Sequence, residues 1–510
     1  MLARVIAFGV LGIEAYPIEI EVDVSSGLPV VNVVGLADAS VKESKERVKS
    51  AIKNSSFQWP QGRVTISLAP SNMRKEGPSF DLAIALGILY ATGQINGSRL
   101  SDFCVLGELS LDGNLRQVQG ILPIAMACSK YNIKNIILPS QNAREASLVE
   151  GISIWPLKTL SETVEFLNNP GPYAPFRMDK PWLLGQNSCY ALDFSDVKGQ
   201  SCAKRAIEIG VAGGHNLLMI GPPGSGKTML AKRIPTIMPD LTQGEILEIT
   251  KIHSVMGTLP ARGGVITTRP FRSPHHTTSS AALAGGGSFP RPGEISLAHH
   301  GVLFLDELAE FRRDCLETLR QPLEDGFICI CRAEKSFVFP ASFTLVCAMN
   351  PCKCGHFNDL KPSCRCSTTQ IHNYRSRISG PLLDRIDIHI EVPAAGYQEL
   401  SSDLPAECSA QIKERVNKAR AMQRNRLLGE GIICNARMHH KQVRKFCVLG
   451  REENALLRLA MSELNFSARA YDKILKVART IADLVQSEQI STEHLAEAIQ
   501  YRSLDRDFFA

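Results

Sequence analysis

Residues 221–228, GPPGSGKT, constrain this chain more than any other stretch. They follow a short apolar run, residues 216–220, and precede a helical pattern, which is the strand, turn and helix context of a phosphate-binding loop. The glycines let successive backbone N–H groups face one concavity, and the following helix adds the positive end of its dipole. An ordinary Gly/Pro turn is the alternative reading. The pattern predicts a site for ATP in which Lys227 reaches the β- and γ-phosphates and Thr228 ligates Mg²⁺.

A second buried run supplies acids that suit the same chemistry. Residues 301–305 are apolar and end in Asp306 and Glu307, the Walker B pattern. Asp306 is expected to hold Mg²⁺ through water, and Glu307 to orient and deprotonate the attacking water. The predicted ligands of ATP and Mg²⁺ are Gly221, Pro222, Pro223, Gly224, Ser225, Gly226, Lys227, Thr228 and Asp306.

Two further polar side chains open or close predicted elements nearby. Residues 343–349 predict a third buried strand that ends in Asn350, whose amide can position the attacking water, the sensor 1 role. Residues 466–469 open a helix in which Ser467 is a good N-cap. Arg469 lies in the first turn of that helix, where its charge opposes the helix dipole, and this favours a functional use.

Length and composition bound the class of protein. A chain of 510 residues predicts about three domains. With 44% hydrophobic and 21% charged residues it reads as soluble and globular. The apolar run at residues 5–13 is too short to span a membrane, and Glu14 interrupts a secretory signal. We therefore expect a cytoplasmic protein with no membrane contact, in which most of the 15 cysteines are free thiols.

The net charge of +6 is unevenly distributed. Residues 411–451 hold eleven Lys/Arg against two acids, a local charge of +9. A basic block of this kind suggests a polyanionic partner. A solvated helix face is the equally weighted alternative.

Residues 352–366 contain two cysteine pairs, Cys352 with Cys354 and Cys364 with Cys366. The nine residues between the pairs are rich in turn formers. Two such pairs on one loop fit tetrahedral S₄ coordination, although C-x-C is tighter than the usual C-x-x-C. We predict a structural Zn²⁺ site. Free thiols and an iron–sulfur site are the alternatives.

The amino-terminal third alternates β-rich runs with helical segments and contains the motifs GPS, GELSLDG and IILP. The order of these motifs resembles that in the proteolytic domain of Lon proteases. That resemblance implies a serine nucleophile at Ser79 and a lysine base at the position of Leu122. Leucine cannot accept a proton, and a serine without a base is a poor nucleophile. We therefore expect a non-proteolytic module in which Ser79 caps a helix.

The segment LLDRID at residues 382–387 resembles the LLxRFD segment of AAA+ ATPases in the magnesium chelatase and minichromosome-maintenance group. The resemblance implies that Arg385 is a finger reaching the neighbouring subunit's γ-phosphate. It also implies a sensor 2 role for Arg469. The catalytic set is therefore Glu307, Asn350, Arg385 and Arg469.

The motifs FRSPHH, AGGG and PGEISLAHH at residues 271–300 closely resemble the magnesium chelatase ATPase subunit and its ComM (YifB-type) relatives. His275 and His276 are adjacent and expected to point apart, so we predict a structural role rather than a metal site. In this group two hairpins face a central pore, here residues 257–265 with Arg262 and residues 327–338 with Arg332 and Lys335. These three cations are the predicted DNA contacts.

The order of these segments along the chain resembles that of the ComM family, whose members are linked to ring-shaped DNA helicases. It implies an α/β multidomain chain: a Lon-protease-like α+β domain at 1–170, a linker at 171–190, an AAA+ core at 191–395 with a cysteine-rich insert at 351–367, and a helical lid at 396–510. The implied function is an ATP-dependent hexameric motor on single-stranded or branched DNA. It would act in branch migration during natural transformation and recombination. A magnesium chelatase-type motor and a Lon-like protease are the alternatives.

Overall fold

The structure is a computed structural model. It describes residues 2–36, 38–71, 73, 75, 77–97, 99–178, 190–260, 264–287, 289–331, 336–357, 363–394, 396, 406–464 and 466–504. The chain forms two compact units. Unit 1 comprises Met1–Gly185, Gln243–Ile266 and Ser288–Arg291, and unit 2 comprises the remainder. Two segments from the middle of the chain therefore group with the amino-terminal part. The domain boundaries given above remain predictions.

The first part of the chain is mixed α/β. Its strands are β1 (Leu2–Leu11), β2 (Glu14–Ser25), β3 (Val31–Val34), β4 (Arg63–Ala69), β5 (Phe103–Val105), β6 (Glu108–Leu109), β7 (Leu115–Arg116), β8 (Asn135–Pro139) and β9 (Ser153–Leu157). Its helices are α1 (Ala39–Asn54), α2 (Asp81–Ala91), α3 (Ile121–Lys130), α4 (Ala143–Ala146) and α5 (Leu160–Asn168).

The second part begins with α6 (Ser201–Gly213), β10 (Leu217–Ile220), α7 (Lys227–Ile237) and α8 (Gln243–Met256). Next come β11 (Phe271–Arg272), α9 (Ser280–Ala284), β12 (Gly285–Gly286), β13 (Arg291–Pro292), α10 (Glu294–Leu297), β14 (Val302–Leu305), α11 (Arg313–Glu317), α12 (Arg320–Asp325), β15 (Phe327–Cys331), β16 (Ser336–Pro340) and β17 (Thr344–Met349). The chain ends with α13 (Thr368–Arg375), α14 (Gly380–Leu383), β18 (Ile388–Glu391), α15 (Ser409–Arg426), α16 (His440–Phe446), α17 (Arg451–Glu463), α18 (Ala468–Leu484) and α19 (Thr492–Gln500).

Unit 1 is built on a seven-stranded sheet in the order β3-β4-β2-β1-β5-β8-β9. β1, β2 and β4 pair antiparallel, whereas β5, β8 and β9 pair parallel. β4 alternates buried and half-buried residues, which fits a strand with one face on the core. The apolar helix α2 is buried along almost its whole length. The alternation of strands and helices predicted for the amino-terminal third is confirmed.

Unit 2 is built on a five-stranded sheet in the order β11-β14-β17-β10-β18, and every pair in it is parallel. β10, β14 and β17 are wholly buried, as expected of parallel strands covered on both faces. The polar residues that follow these strands meet at one edge of the sheet, because their carboxyl ends point the same way.

The carboxyl-terminal part of unit 2 is helical. Ser467 caps α18, since its side chain accepts a hydrogen bond from the backbone N–H of Ala470, as predicted. The apolar side chains Ile474, Val477, Ile481 and Leu484 of this helix are buried. No helix in the described ranges is both long and apolar enough to cross a bilayer. The α/β fold class predicted above is confirmed.

Candidate functional site

The phosphate loop follows β10, which lies between β17 and β18 in the sheet. Gly224 and Gly226 adopt φ angles of +77° and +90°, a region that favours glycine. Gly221 closes against a neighbouring strand, since its N–H donates to the carbonyl of Met349 over 3.2 Å. These features put the loop at the carboxyl edge of the sheet, where ligands of parallel α/β sheets bind.

Lys227 lies over its own loop. Its Nζ donates to the carbonyl oxygens of Gly221 and Pro222 over 2.7 and 2.8 Å. Nζ also lies 3.3 Å from the Ser225 hydroxyl and 3.4 Å from Oδ1 of Asn350. Burial lowers the pKa of Lys227, and the charge of Asp306 opposes that shift. Phosphate oxygens can replace the neutral carbonyl acceptors, which gives the ammonium charged partners.

Thr228 and Asp306 join the two nucleotide motifs. The Thr228 hydroxyl donates to Oδ2 of Asp306 over 2.6 Å. A hydroxyl and a carboxylate in contact form the hard-oxygen donor set that Mg²⁺ prefers beside phosphates. The residues present therefore fit Mg²⁺ and ATP.

Glu307 is held in an unusual backbone conformation immediately after Asp306. Its φ is +53°, the left-handed region, and its N–H donates to Oδ1 of Asp306 over 3.0 Å. Non-glycine residues in this region cluster at functional sites. Oε2 of Glu307 lies 3.3 Å from Nδ1 of His276.

The expectation that His275 and His276 point apart is wrong. Their ring centroids lie 4.1 Å apart, and the planes are inclined by 34°. β11, which these histidines follow, pairs in parallel with β14, the strand that ends before Asp306. The histidines and Glu307 therefore share one edge of the sheet. The motif alone does not indicate that the histidines lie near Glu307; the order of strands in the sheet is needed to predict it.

Arg385 and Arg469 lie away from the phosphate loop. Both line a cavity of about 810 Å³ that also includes Asn216 and Asp387. Those two residues precede β10 and β18, so the cavity lies at the amino edge of the sheet. A four-residue strand spans roughly 13 Å, which separates the two edges. Neither arginine can serve the phosphate loop of its own chain from this edge.

Carboxylates already engage both arginines. Arg385 forms an ion pair with Glu324, and its other terminal nitrogen donates to the carbonyl of Pro381 over 2.6 Å. A guanidinium nitrogen of Arg469 lies 3.9 Å from Asp384. The two arginines and their acidic partners, Glu324 and Asp384, therefore line the same cavity.

A buried charge group supports that surface. Asp387 lies 2.9 Å from Nζ of Lys473 and 3.5 Å from Nδ1 of His215. Burial alone would raise the pKa of Asp387, but Lys473 and His215 outweigh it and hold this pKa well below its usual value. Burial lowers the pKa of Lys473 to about 8. The Asp387 carboxylate also accepts the backbone N–H of Asn216 over 3.1 Å, which ties β18 to β10.

The four predicted zinc ligands converge. Sγ of Cys352 lies 3.3 Å from that of Cys354 and 3.7 Å from that of Cys364. The ligand atoms of all four cysteines, Cys366 included, lie within 4.8 Å of one another. A tetrahedral ion with Zn–S bonds of about 2.3 Å needs sulfur atoms roughly 3.8 Å apart. The donor set therefore fits Zn²⁺.

Thiolate character is favoured at one position of the cluster. Backbone N–H groups of Arg365 and His356 lower the pKa of Cys354 to about 6. A metal ligand must be deprotonated, so this environment suits coordination. Residues 358–362, between the two pairs, lie outside the described residues.

Gly355 brings the cysteine loop against the phosphate loop. Its φ is +87°, and a Cβ at this position would lie 2.6 Å from Cδ of Pro223. Cys352 follows Asn350 after a single residue. The cluster and the nucleotide site are thus adjoining parts of unit 2.

Ser79 lines a cavity of about 310 Å³ within unit 1. The expectation that it caps a helix is wrong, because α2 begins without a side-chain cap and Ser79 lies in the preceding turn. Leu122 is buried, and its N–H donates to Glu145 over 2.8 Å. The structure thus places no proton acceptor at position 122.

The predicted DNA contacts Arg262, Arg332 and Lys335 lie outside the described residues. The second hairpin is confirmed, because β15 pairs antiparallel with β16. The first is not seen: the described residues between 257 and 265 form turns and no strand.

Much of the basic segment is neutralised within the fold. Five of its cations pair with carboxylates: Lys413, Arg415, Lys418, Arg426 and Lys445. Four others are exposed: Arg424, Lys441, Arg444 and Arg451. The segment thus combines cations that pair with carboxylates, of which Lys418 and Lys445 are also exposed, with four further exposed cations.

The all-parallel sheet, the phosphate loop after β10 and the Walker B acids after β14, with β17 between these two strands, define a P-loop nucleotide-binding protein of the AAA+ class. Family comparisons agree. The family described as magnesium chelatase, subunit ChlI, matches residues 193–400. A second family, described as subunit ChlI of Mg-chelatase, matches residues 20–142, and the magnesium chelatase subunit ChlI C-terminal family matches residues 406–502.

Relatives match nearly the whole chain. Competence protein ComM of Haemophilus influenzae is 44% identical over 99% of this chain and 98% of its own length. YifB of Escherichia coli is 43% identical over 97% and 96%. An archaeal Lon protease from Methanocaldococcus jannaschii is 29% identical over 26% of this chain and 20% of its own. The chain belongs to the ComM (YifB-type) family of magnesium chelatase-like AAA+ proteins.

Proposed function

We propose that this protein is an ATP-driven DNA motor that works as a homohexameric ring in the cytoplasm. It moves along single-stranded or branched DNA, and its role is branch migration during natural transformation and recombination. The name of the Haemophilus influenzae relative, a competence protein, supports this role. The intact phosphate loop and Walker B acids support the use of ATP.

When bound, ATP and Mg²⁺ supply the phosphoanhydride bond and the cation that neutralises its charge. Lys227 binds phosphate oxygens, and Thr228 and Asp306 hold the cation. Glu307 accepts the proton of the attacking water, which Asn350 helps to orient. Each assignment follows from the side chain's place at the carboxyl edge of the parallel sheet.

The observation that carries the ring is the position of the two arginines. Arg385 and Arg469 share a cavity at the amino edge of the sheet, opposite the phosphate loop. A transition state with charge on phosphate oxygens is stabilised by a further cation beside Lys227, and neither arginine lies at that edge in its own chain. We therefore assign both arginines to the site of the next subunit, which requires head-to-tail association of subunits; the proposed ring is the closed form of that assembly.

The proposed function also includes a zinc site and three cations that contact DNA. The four cysteines hold a structural Zn²⁺ ion, supported by their sulfur separations. Arg332 and Lys335, which lie in sequence between β15 and β16, contact the DNA backbone, as does Arg262. A hexamer would present six copies of each cation, and phosphate contact is salt-dependent.

The main alternative is the ATPase subunit of a magnesium chelatase-type complex, because the chelatase families match most of the chain. The four-cysteine cluster and the Lon-like domain favour the DNA motor instead. A Lon-like protease is disfavoured by Leu122, which has no proton-accepting group.

The test measures ATP hydrolysis without DNA, with single-stranded DNA and with forked DNA, alongside the mass of the assembly. We expect stimulation by DNA and a hexamer in the presence of ATP. A monomer whose rate ignores DNA contradicts the proposal. Stimulation only by a porphyrin-insertion partner would instead support the chelatase function, and casein digestion would support a protease.

A further inference from the structure

His276 contacts the carboxylate that the proposed function uses as general base. Its Nδ1 lies 3.3 Å from Oε2 of Glu307. A proton on Nδ1, present in one neutral tautomer and in the imidazolium, makes this contact attractive. Catalytic contacts are often long in the absence of substrate and shorten when it binds.

The imidazole of His276 is braced on two sides. It packs at a tilt against the His275 ring, with the centroids 4.1 Å apart, and makes an edge contact with the Phe311 ring at a centroid distance of 6.4 Å. His275 is itself anchored, because its Nδ1 lies 2.9 Å from the Thr277 hydroxyl. A ring packed in this way presents Nδ1 in a restricted direction.

Glu307 needs such a restraint. Its side chain is 56% exposed, compared with 30% for that of His276. Its left-handed φ of +53° and its N–H bond to Asp306 fix the backbone but not the carboxylate. An exposed glutamate without a partner samples several rotamers, and most of them point its oxygens away from a given water.

We propose that His276 is a positioning residue for ATP hydrolysis: it holds the Glu307 carboxylate in the orientation from which that carboxylate takes the proton of the attacking water. The proposal rests on the role of Glu307 in the proposed function. His276 does not touch the phosphate loop through any of its described contacts, so it acts on turnover and not on nucleotide binding.

The test compares His276→Ala, His276→Asn and His276→Gln in the full-length chain. We expect His276→Ala to lower kcat about tenfold while KM for ATP stays within twofold, because only the orientation of the base is lost. The amide nitrogen of asparagine occupies the place of Nδ1, whereas that of glutamine occupies the place of Nε2. His276→Asn should therefore recover more than half of the activity, and His276→Gln should not.

Glu307→Gln and the double variant His276→Ala/Glu307→Gln complete a mutant cycle. If His276 acts through Glu307, the double variant is no slower than Glu307→Gln alone. An independent further loss overturns the inference. His372→Ala is a matched control at an exposed histidine and should retain full activity.

Binding of a fluorescent ATP analogue verifies that each variant is folded. Turnover of His276→Ala within twofold of the wild type, or an equal rescue by asparagine and glutamine, overturns the positioning role. If Glu307→Gln turns over ATP at the wild-type rate, or if the wild-type chain hydrolyses no ATP, both the positioning role of His276 and the proposed role of Glu307 are overturned. If DNA does not stimulate ATP hydrolysis but the His276 variants change kcat as expected, the result contradicts the DNA motor and leaves the positioning role of His276 standing.

Discussion

The hydroxyl of Thr228 donates to Oδ2 of Asp306 over 2.6 Å, which joins the phosphate loop directly to the first residue after β14. These two oxygens would hold a Mg²⁺ ion beside the β- and γ-phosphates. The metal would replace a contact that the protein already makes, so these two residues are preorganised for one another.

Replacing Asp306 with asparagine should therefore separate binding from chemistry. We expect Asp306→Asn to retain Mg²⁺-free nucleotide affinity within about threefold and to lose roughly 100-fold or more in hydrolysis, since it removes the charge that attracts the cation. Fluorescent nucleotide titrations with and without Mg²⁺, combined with phosphate-release assays, measure both quantities. Wild-type hydrolysis by this variant would refute the assignment.

Mixed subunits test the shared nucleotide site. Lys227→Ala should abolish nucleotide binding and Arg385→Ala should stop hydrolysis, so neither variant is active alone. In an equimolar mixture about one quarter of the interfaces combine an intact phosphate loop with an intact arginine, so about a quarter of the wild-type rate returns. No recovery after subunit exchange would mean that Arg385 acts within its own chain. Arg469→Ala mixed with Lys227→Ala tests sensor 2 in the same way.

Removal of one sulfur should empty the cysteine cluster. Cys352 is buried, and its Sγ contacts those of Cys354 and Cys364. We expect Cys352→Ser to lose the metal, because a hydroxyl is a poor Zn²⁺ ligand in an S₄ site. Elemental analysis of purified protein should fall from about one zinc per chain to near zero. Cys202→Ser, at an exposed cysteine, is the control and should retain the metal.

Asp387 predicts a pH dependence of unit 2. Its pKa in the folded state lies well below the usual value, so the stability it contributes is complete above its unfolded pKa. That stability is lost as the pH falls below about 4 toward the folded pKa. Asp387→Asn should cost about 3 kcal/mol at pH 7, because it leaves Lys473 buried without its partner.

Urea unfolding at pH 7, 5 and 3.5 measures this difference. The gap between wild type and Asp387→Asn should narrow as the pH falls to 3.5, since the carboxylate of the unfolded wild-type chain then takes up a proton that the folded chain does not bind. A gap that stays constant across this range would show that Asp387 does not carry the expected charge in the folded state.

Gly355 offers a matched pair of glycine variants. Gly355 and Gly429 have nearly the same φ, +87° and +86°, but a Cβ added at Gly355 would meet Pro223, whereas one added at Gly429 would have no neighbour within 4 Å. Both Gly355→Ala and Gly429→Ala should lose about 1–2 kcal/mol of stability to the left-handed backbone. Only Gly355→Ala should also weaken ATP binding, because it displaces the phosphate loop. Equal ATP affinity in the two variants would contradict this coupling.

Much of the nucleotide site could be predicted because its signals are local. Glycines beside Lys227, acids after an apolar strand and the Ser467 cap each depend on a few adjacent residues. The convergence of the four cysteines could also be predicted, since their spacing restricts them to one loop.

What could not be predicted depends on strand order. Nothing in the segment around His276 indicates that β11 lies beside β14, and that pairing alone brings the imidazole to Glu307. The place of Arg469 depends in the same way on which ends of β10 and β18 face its helix. The grouping of α8 with unit 1 has no sequence signal, because the segment is interrupted by neither Pro nor a change in composition.

The contact between Gly355 and Pro223 leaves less than a methyl group of free space between the two loops. The sizes of these two side chains are therefore not independent. Among relatives, a larger residue at position 355 should occur only with a smaller one at position 223, and an alignment of the family would reveal this as a correlated pair.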